Sequence, residues 1–297
     1  MFAPKALSEV FRRLHQPVET LSAMEMAAFT QFRPGDTVML SSISGGTKRT
    51  IEAAKVAKDA GARVVALTCN AGSALAEVAQ ETVELPFAPL SRKTPHTLDY
   101  AVTLLALAEI ARSFAGEEST GMRAAVAIVP GLLDHARADA AGLGDLYDPA
   151  GKIVILGAGP DLGTAEYGAA KFHEAGGLIA VAAETENFIH GMNFMLEPSD
   201  MLIALGGSEA GGKRGGEIAD ALAPLVRHAT LYAPSSLDGI ELKPWQKPLA
   251  EVWVQTFFLQ ALCLQIADQL GLRLEEPRAG LPGGQDHLAA QARAMAS

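Results

Sequence analysis

The sequence predicts an α/β protein built as two doubly wound parallel α/β/α sandwiches, and three observations carry that prediction. The first is an internal repeat: residues 34–69 (Pro-Gly-Asp-Thr-Val-Met-Leu, a helical pattern, then Gly-Ala-Arg-Val-Val-Ala-Leu-Thr-Cys) have a counterpart at 198–233 (Pro-Ser-Asp-Met-Leu-Ile-Ala-Leu, a helical pattern, then Arg-His-Ala-Thr-Leu-Tyr-Ala). The second is the presence of short, continuously apolar runs such as Val38-Met39-Leu40, of the kind found in parallel strands covered on both faces. The third is the alternation of these runs with helical stretches, which implies crossover connections and a sheet that binds ligands at the carboxyl ends of its strands.

Taken in order, the chain opens on a helix at Pro4-Lys-Ala-Leu-Ser-Glu-Val-Phe-Arg-Arg-Leu. Strands are predicted near 17–22, 37–42, 63–68 and 82–86, followed by a long helix at about 97–115. Residues 116–150, rich in Gly, Ala and Asp with a helical pattern at 121–140, read as an inter-domain helix and linker. The second half opens with Lys152-Ile-Val-Ile-Leu-Gly-Ala-Gly-Pro and closes with a helix at about 248–270 and a Gly/Pro-containing tail. The predicted division is 1–115, first domain; 116–150, helix and linker; 151–297, second domain. The second half begins with a strand and glycine turn, whereas the first begins directly with a helix. The expectation is that the first sheet lacks its opening strand and that the natural chain starts some tens of residues before Met1.

Composition bounds the function. With 49% hydrophobic residues over 297, the chain can bury one large core or two medium ones. A net charge of −10 and a pI near 5.2 argue against nucleic acid or an anionic membrane as the main partner, so an anionic ligand must be captured locally. No continuous apolar run approaches the ~18 residues of a membrane span and no signal-peptide order is present at the start, which places the protein in the cytoplasm. Cys69 and Cys263 lie far apart with no metal or redox spacing, and read as structural thiols in apolar contexts. No metal or cofactor is expected.

The turn at Ser42-Ile-Ser-Gly-Gly-Thr joins a predicted strand to a predicted helix. Ser42, Ser44 and Thr47 supply hydroxyls, Gly45 and Gly46 allow close backbone approach, and the helix start adds amides and a positive dipole end. Such a turn can hold a phosphate monoester without a dedicated arginine. Its ordinary reading is a helix cap. The corresponding turn of the second half, Gly206-Gly-Ser-Glu, has lost two of the three hydroxyls and gained a carboxylate, so it is not expected to hold a second phosphate.

These segments resemble the double sugar isomerase (SIS) domain family over nearly the whole chain. The resemblance is carried by the Ser-x-Ser-Gly-x-Thr loop at Ser42, Ser44, Gly45 and Thr47, the Asn70–Leu75 turn, Gly157-Ala-Gly-Pro, Glu166-Tyr-Gly-Ala-Ala-Lys-Phe-His-Glu and Glu186-Asn-Phe-Ile-His-Gly. It implies that Glu174 is the proton-shuttling base, that His190 is the ring-opening acid/base, and that Lys171 and Glu186 lie beside the substrate. Proton transfer between C1 and C2 of a sugar calls for a carboxylate over the carbon skeleton, and ring opening for a group titrating near neutrality. Taken alone, Lys171 and Glu174 could form a helical surface ion pair. Glu166 and Glu184 are weaker candidates. Lys93 and Thr94 resemble a ligand-lining segment disturbed by Pro95.

Within the family, the chain resembles the isomerase domain of glucosamine-6-phosphate synthase and the deglycases that split phosphorylated fructosyl-amino acids. It lacks a glutaminase domain, and where the synthases carry a tail lysine it has Pro277-Arg-Ala-Gly-Leu-Pro-Gly-Gly. The resemblance therefore implies a deglycase acting on 6-phosphorylated ketosamines, working as a homo-oligomer, most simply a dimer, whose sites are completed by a neighbouring subunit. The alternatives are an aldose–ketose phosphosugar isomerase and a non-catalytic regulatory protein that binds sugar phosphates.

Overall fold

The computed structural model describes residues 2–89, 95–233, 235–278 and 281–296. In chain order the elements are α1 (Phe2–Ala6), α2 (Ser8–Arg13), α3 (Ala23–Ala28), β1 (Thr37–Ser41), α4 (Lys48–Asp59), β2 (Arg63–Thr68), α5 (Ala74–Val78) and β3 (Glu81–Glu84). They continue with α6 (Leu98–Phe114), α7 (Thr120–Ala127), α8 (Val129–Gly144), β4 (Ile153–Gly157), α9 (Pro160–Glu174), β5 (Ala180–Glu184) and α10 (Thr185–Ile189). After a 3-10 turn at Met192–Met195 come β6 (Met201–Leu205), α11 (Glu209–Leu222), β7 (His228–Tyr232), α12 (Gln246–Gln269) and α13 (Gly284–Ala296). The chain forms two compact units. The first runs from Val18 into α6 as far as Leu107; the second takes Phe2–Pro17 and the chain from Ala108 onward. The opening helices, which the sequence division put at the head of the first half, thus group with the second unit.

The first unit holds a three-stranded parallel sheet, β1-β2-β3, in which Thr37 is level with Arg63 and Val65 with Glu81. Val38, Leu40, Val64 and Ala66 bury against Ala53, Ala54 and Ala57 of α4. Small residues on that helix face let it lie close to the strands. The second unit holds a four-stranded parallel sheet, β5-β4-β6-β7. Every residue of β4 and β6 is buried, as the continuous apolar runs required. Val154, Leu156, Leu202 and Ala204 pack with Phe188 and Ile218. On the other side α9 meets α1, where a side chain at Gly163 would come within 2.4 Å of the Ala6 nitrogen.

The repeat is visible as paired hydrogen bonds. Asp36 accepts the Arg33 amide and its carbonyl receives the Arg63 amide, both at 2.8 Å. Asp200 accepts the Glu197 amide at 2.8 Å and its carbonyl receives the Arg227 amide at 2.9 Å. The unit β1-α4-β2 therefore matches β6-α11-β7. In the second sheet β6 is flanked by β4 as well, whereas among the described residues β1 has no such neighbour and lies at the sheet edge.

One expectation needs correction. Residues 17–22 form no strand: Ser22 and Glu25 close a capping box that starts α3, and the preceding residues are exposed or half-buried, with no face to bury. The Gly/Pro-containing tail carries α13. Helix α12 is long and apolar enough to cross a bilayer, but 72% of its most apolar window is buried inside the protein.

Candidate functional site

In the first unit the turn after β1 gathers the predicted hydroxyls. Ser42 is buried, and its hydroxyl lies 3.1 Å from that of Thr47. Ser44 Oγ accepts the Gly46 amide at 3.2 Å. Thr47 stands at the N-cap of α4, yet its side chain makes no capping hydrogen bond. Helix α4 begins at Lys48, so its positive dipole end faces the loop.

The loop is locked from behind by the turn after β2. Gly45 has φ +65°, and a side chain there would lie 2.0 Å from Ser73 Oγ. The Gly45 carbonyl accepts the Leu75 amide at 3.0 Å, and the Ile43 carbonyl accepts both the Cys69 amide at 3.0 Å and the Thr68 hydroxyl at 3.1 Å. Asn70 Oδ1 accepts the Gly72 amide at 3.0 Å, and Ser73 caps α5. The Asn70–Leu75 segment is thus the scaffold of the serine loop.

The equivalent turn of the second unit is arranged differently. Ser208 at the N-cap of α11 accepts the Gly211 amide at 3.1 Å, so its hydroxyl caps the helix. The carboxylate of Asp161, from the start of α9, accepts the Gly207 amide at 3.0 Å and the Gln255 side-chain amide at 2.9 Å. A carboxylate of the chain itself occupies the donors of this turn. Burial raises its pKa to about 6, against the lowering effect of those hydrogen bonds. Asp161 escaped sequence reasoning, although its place in the first turn of a helix behind a glycine turn is a readable feature.

Lys171 and Glu174 form the i,i+3 ion pair, with Lys171 buried over the Tyr167 ring at 5.3 Å and Glu174 half exposed. Glu166 is paired with Lys5 of α1 and serves helix packing. Helix α9 runs back from the carboxyl edge of the sheet, and His173 Nε2 sits 2.8 Å from the carbonyl of Ala180, the first residue of β5. Glu174 is therefore at the amino edge.

His190 is at the opposite edge, just past β5 and α10. Its Nε2 is 3.5 Å from Glu186, which also receives Arg214 Nε at 2.7 Å. The guanidinium holds Glu186 below the usual carboxylate range. Glu184 caps α10 by accepting the Asn187 amide at 2.7 Å. The second unit thus brings Glu186, His190 and Arg214 together, and Lys171 with Glu174. It separates Glu174 from His190 by the length of α9, roughly 20 Å. Arg214, which sequence reasoning missed, comes from α11 and becomes a neighbour only when that helix folds beside α10. Lys93 and Thr94 lie outside the described residues. Among the described residues no group of three or more His, Cys, Asp or Glu is placed to hold a metal ion.

The SIS domain model matches residues 7–110 and 146–211, more than half of the chain. The chain belongs to the SIS domain family. Over 54 residues, 18% of this SIS chain, it is 43% identical to the phosphoheptose isomerases of Mycobacterium bovis and Mycobacterium tuberculosis, and the match spans 28% of their length. In three dimensions it is similar to glucosamine-6-phosphate deaminase from Thermotoga maritima, with a TM-score of 0.76, 20% identity, and coverage of 93% of this chain and 84% of that one. The C-terminal domain of glucosamine-fructose-6-phosphate aminotransferase from Francisella tularensis gives 0.74 at 16% identity, over 93% and 84% of the two chains. Tagatose-6-phosphate ketose/aldose isomerase from Escherichia coli gives 0.70 at 15% identity, over 92% and 81%. At these identities the likeness is one of fold.

Proposed function

We propose that this SIS chain is a deglycase that cleaves 6-phosphorylated ketosamines, fructosyl-amino acid 6-phosphates, to an aldose 6-phosphate and an amine. The observation that carries the reading is the hydroxyl cluster of the first unit, in which Thr47 stands at a helix start without capping it. The phosphate sits on Ser42, Ser44 and Thr47, with Gly45 and Gly46 admitting it to the backbone amides. His190 assists ring opening, and Glu186 and Lys171 lie beside the substrate. Glu174 takes a proton from C1 and returns it to C2, which converts the aminoketone into the imine of an aldose phosphate. Water then adds at C1 and the amine leaves. Glu174 and His190 lie at opposite edges of one sheet, so a site using both takes them from two copies of the chain, in keeping with a homodimer. Mixing Glu174→Gln with His190→Ala, each inactive alone, restores turnover if the site is shared in this way.

A second reading, aldose–ketose phosphosugar isomerisation, uses the same proton shift without the amine. It is favoured by the names of the matched phosphoheptose isomerases and of the tagatose-6-phosphate isomerase. Phosphorus NMR of the protein with 6-phosphofructosyl-amino acids, fructose 6-phosphate and glucosamine 6-phosphate separates the two. Conversion of a ketosamine, abolished by Glu174→Gln, supports the deglycase; conversion of fructose 6-phosphate alone supports the isomerase. Line broadening without turnover in either case favours a sugar-phosphate-binding regulatory protein.

A further inference from the structure

The second unit has a groove that the reaction above does not use. It is an open hollow of about 400 Å³ between the face of β7 and helix α8. Alternation along β7 puts His228, Thr230 and Tyr232 on the groove side. The last turns of α8 present Asp139, Gly142 and Leu143, the turn after the helix adds Leu146, and Phe258 of α12 stacks beneath Tyr232 at 3.7 Å between ring centroids.

The chemistry of this lining is selective. Asp139 is its one charged side chain among the described residues, and neither lysine nor arginine lines the groove. The Tyr232 hydroxyl donates to Asp139 Oδ2 at 3.1 Å. That bond fixes the carboxylate and leaves Oδ1 for another donor. Burial keeps the phenol protonated and holds His228 below its usual pKa, so neither adds a competing charge at neutral pH. Gly142 stands in the last turn of α8. A side chain there would meet nothing within 4 Å, so packing does not demand the glycine, and its effect is to leave the groove wall bare.

We propose that this groove binds a compact organic ammonium ion, with its charged head on Asp139 and its apolar body against Leu143 and Leu146. Among the described residues the lining itself offers an anion no cation, the Arg227 guanidinium at its rim being taken by the Leu146 carbonyl at 2.8 Å and by Asp148, and a bare metal ion finds a single carboxylate. A molecule with an ammonium group and an apolar ring or chain satisfies both walls, and a charge-assisted bond to Oδ1 supplies the selectivity.

The test uses the full chain with carbon-13-labelled leucine methyls and three probes of one shape: cyclohexylammonium, cyclohexanol and cyclohexanecarboxylate. The expected result is a saturable shift of the Leu143 and Leu146 methyls with cyclohexylammonium, about tenfold weaker binding of the alcohol, and none of the carboxylate. Asp139→Asn should reduce the ammonium to the level of the alcohol, and Gly142→Leu should block both while keeping the urea midpoint. Equal affinity for the three probes, no saturable shift, or an Asp139→Asn variant that binds the ammonium unchanged would overturn the proposal. Should Asp139→Asn fail to fold, the three-probe comparison on the wild type together with Gly142→Leu still decides it.

Discussion

Asp161 and Gly207 are joined by a hydrogen bond of 3.0 Å that ties the start of α9 to the turn after β6. In the first unit the corresponding turn has serine and threonine hydroxyls at its mouth. In the second half of the repeat the chain itself thus supplies the carboxylate that takes the turn's backbone donor.

The burial of Asp161 predicts a pH dependence. Burial raises Asp161 from 3.8 to about 6, and Glu251, also mainly through burial, from 4.5 to about 7. A carboxyl whose folded pKa is raised binds more protons in the folded state, so its contribution is present at low pH and is lost as pH rises from about 4 to about 7. For Asp161 the loss is on the order of 2 to 3 kcal/mol. Urea denaturation at pH 5 and pH 7 should show the native state weaker at pH 7 by this linkage, and Asp161→Asn should shrink the difference by roughly half. An unaltered difference in the variant would refute the assignment.

Gly45→Ala should destabilise the first unit by about 2 kcal/mol or more, since both the positive φ and the contact with Ser73 exclude a side chain. Gly46→Ala should cost well under half as much, because its nearest new contact is Ser44 Oγ at 3.7 Å. Paired urea titrations measure the contrast.

Thr47→Ala and Ser208→Ala remove hydroxyls from equivalent helix starts and should differ in their effect on affinity. Ser208 caps α11, so its loss should cost about 1 kcal/mol of stability with little effect on sugar-phosphate affinity. Thr47 caps nothing but bonds the buried Ser42 hydroxyl, so its loss should also cost about 1 kcal/mol while weakening fructose 6-phosphate binding about tenfold. Calorimetric titration beside thermal melts reads both.

The repeat yields a fourth contrast. Asp200 is 1% exposed and receives the Lys152 amide and ammonium and the Glu197 amide. Its replacement by alanine leaves a half-buried lysine and two backbone amides without their partner and should cost about 3 kcal/mol. Asp36 is exposed with one comparable bond, and Asp36→Ala should cost about 1 kcal/mol, measured by the same denaturation.

How much of this was legible before folding depends on how local the cause was. The strands at Val38–Leu40, Val64–Leu67 and Ile153–Leu156 were readable because burial on both faces demands uninterrupted apolar residues. The serine loop was readable because hydroxyls, glycines and a helix start adjoin in the chain. Residues 17–22 form no strand because the Ser22–Glu25 capping pair starts a helix there and the residues before it have no face to bury. Asp161 was unreadable as a partner of Gly207, 46 residues away, until β4 and β6 are set side by side. The same holds for Arg214 and Glu186, whose pairing depends on α10 and α11 meeting.

The interlock of Gly45 with Ser73 bears on the thermodynamics of anything that enters the serine loop. The backbone from Ile43 to Gly45 is fixed by bonds to Thr68, Cys69 and Leu75 without help from a guest. An incoming anion therefore meets amides already aimed, and the conformational entropy of ordering that backbone was lost when the unit folded. Affinity then depends on how well the guest replaces the hydration of a few hydroxyls, which favours a small rigid head group over a large flexible one. Tightening ligands by adding contacts to this loop would bring little, whereas loosening the turn at Asn70 to Leu75 would weaken every anion alike.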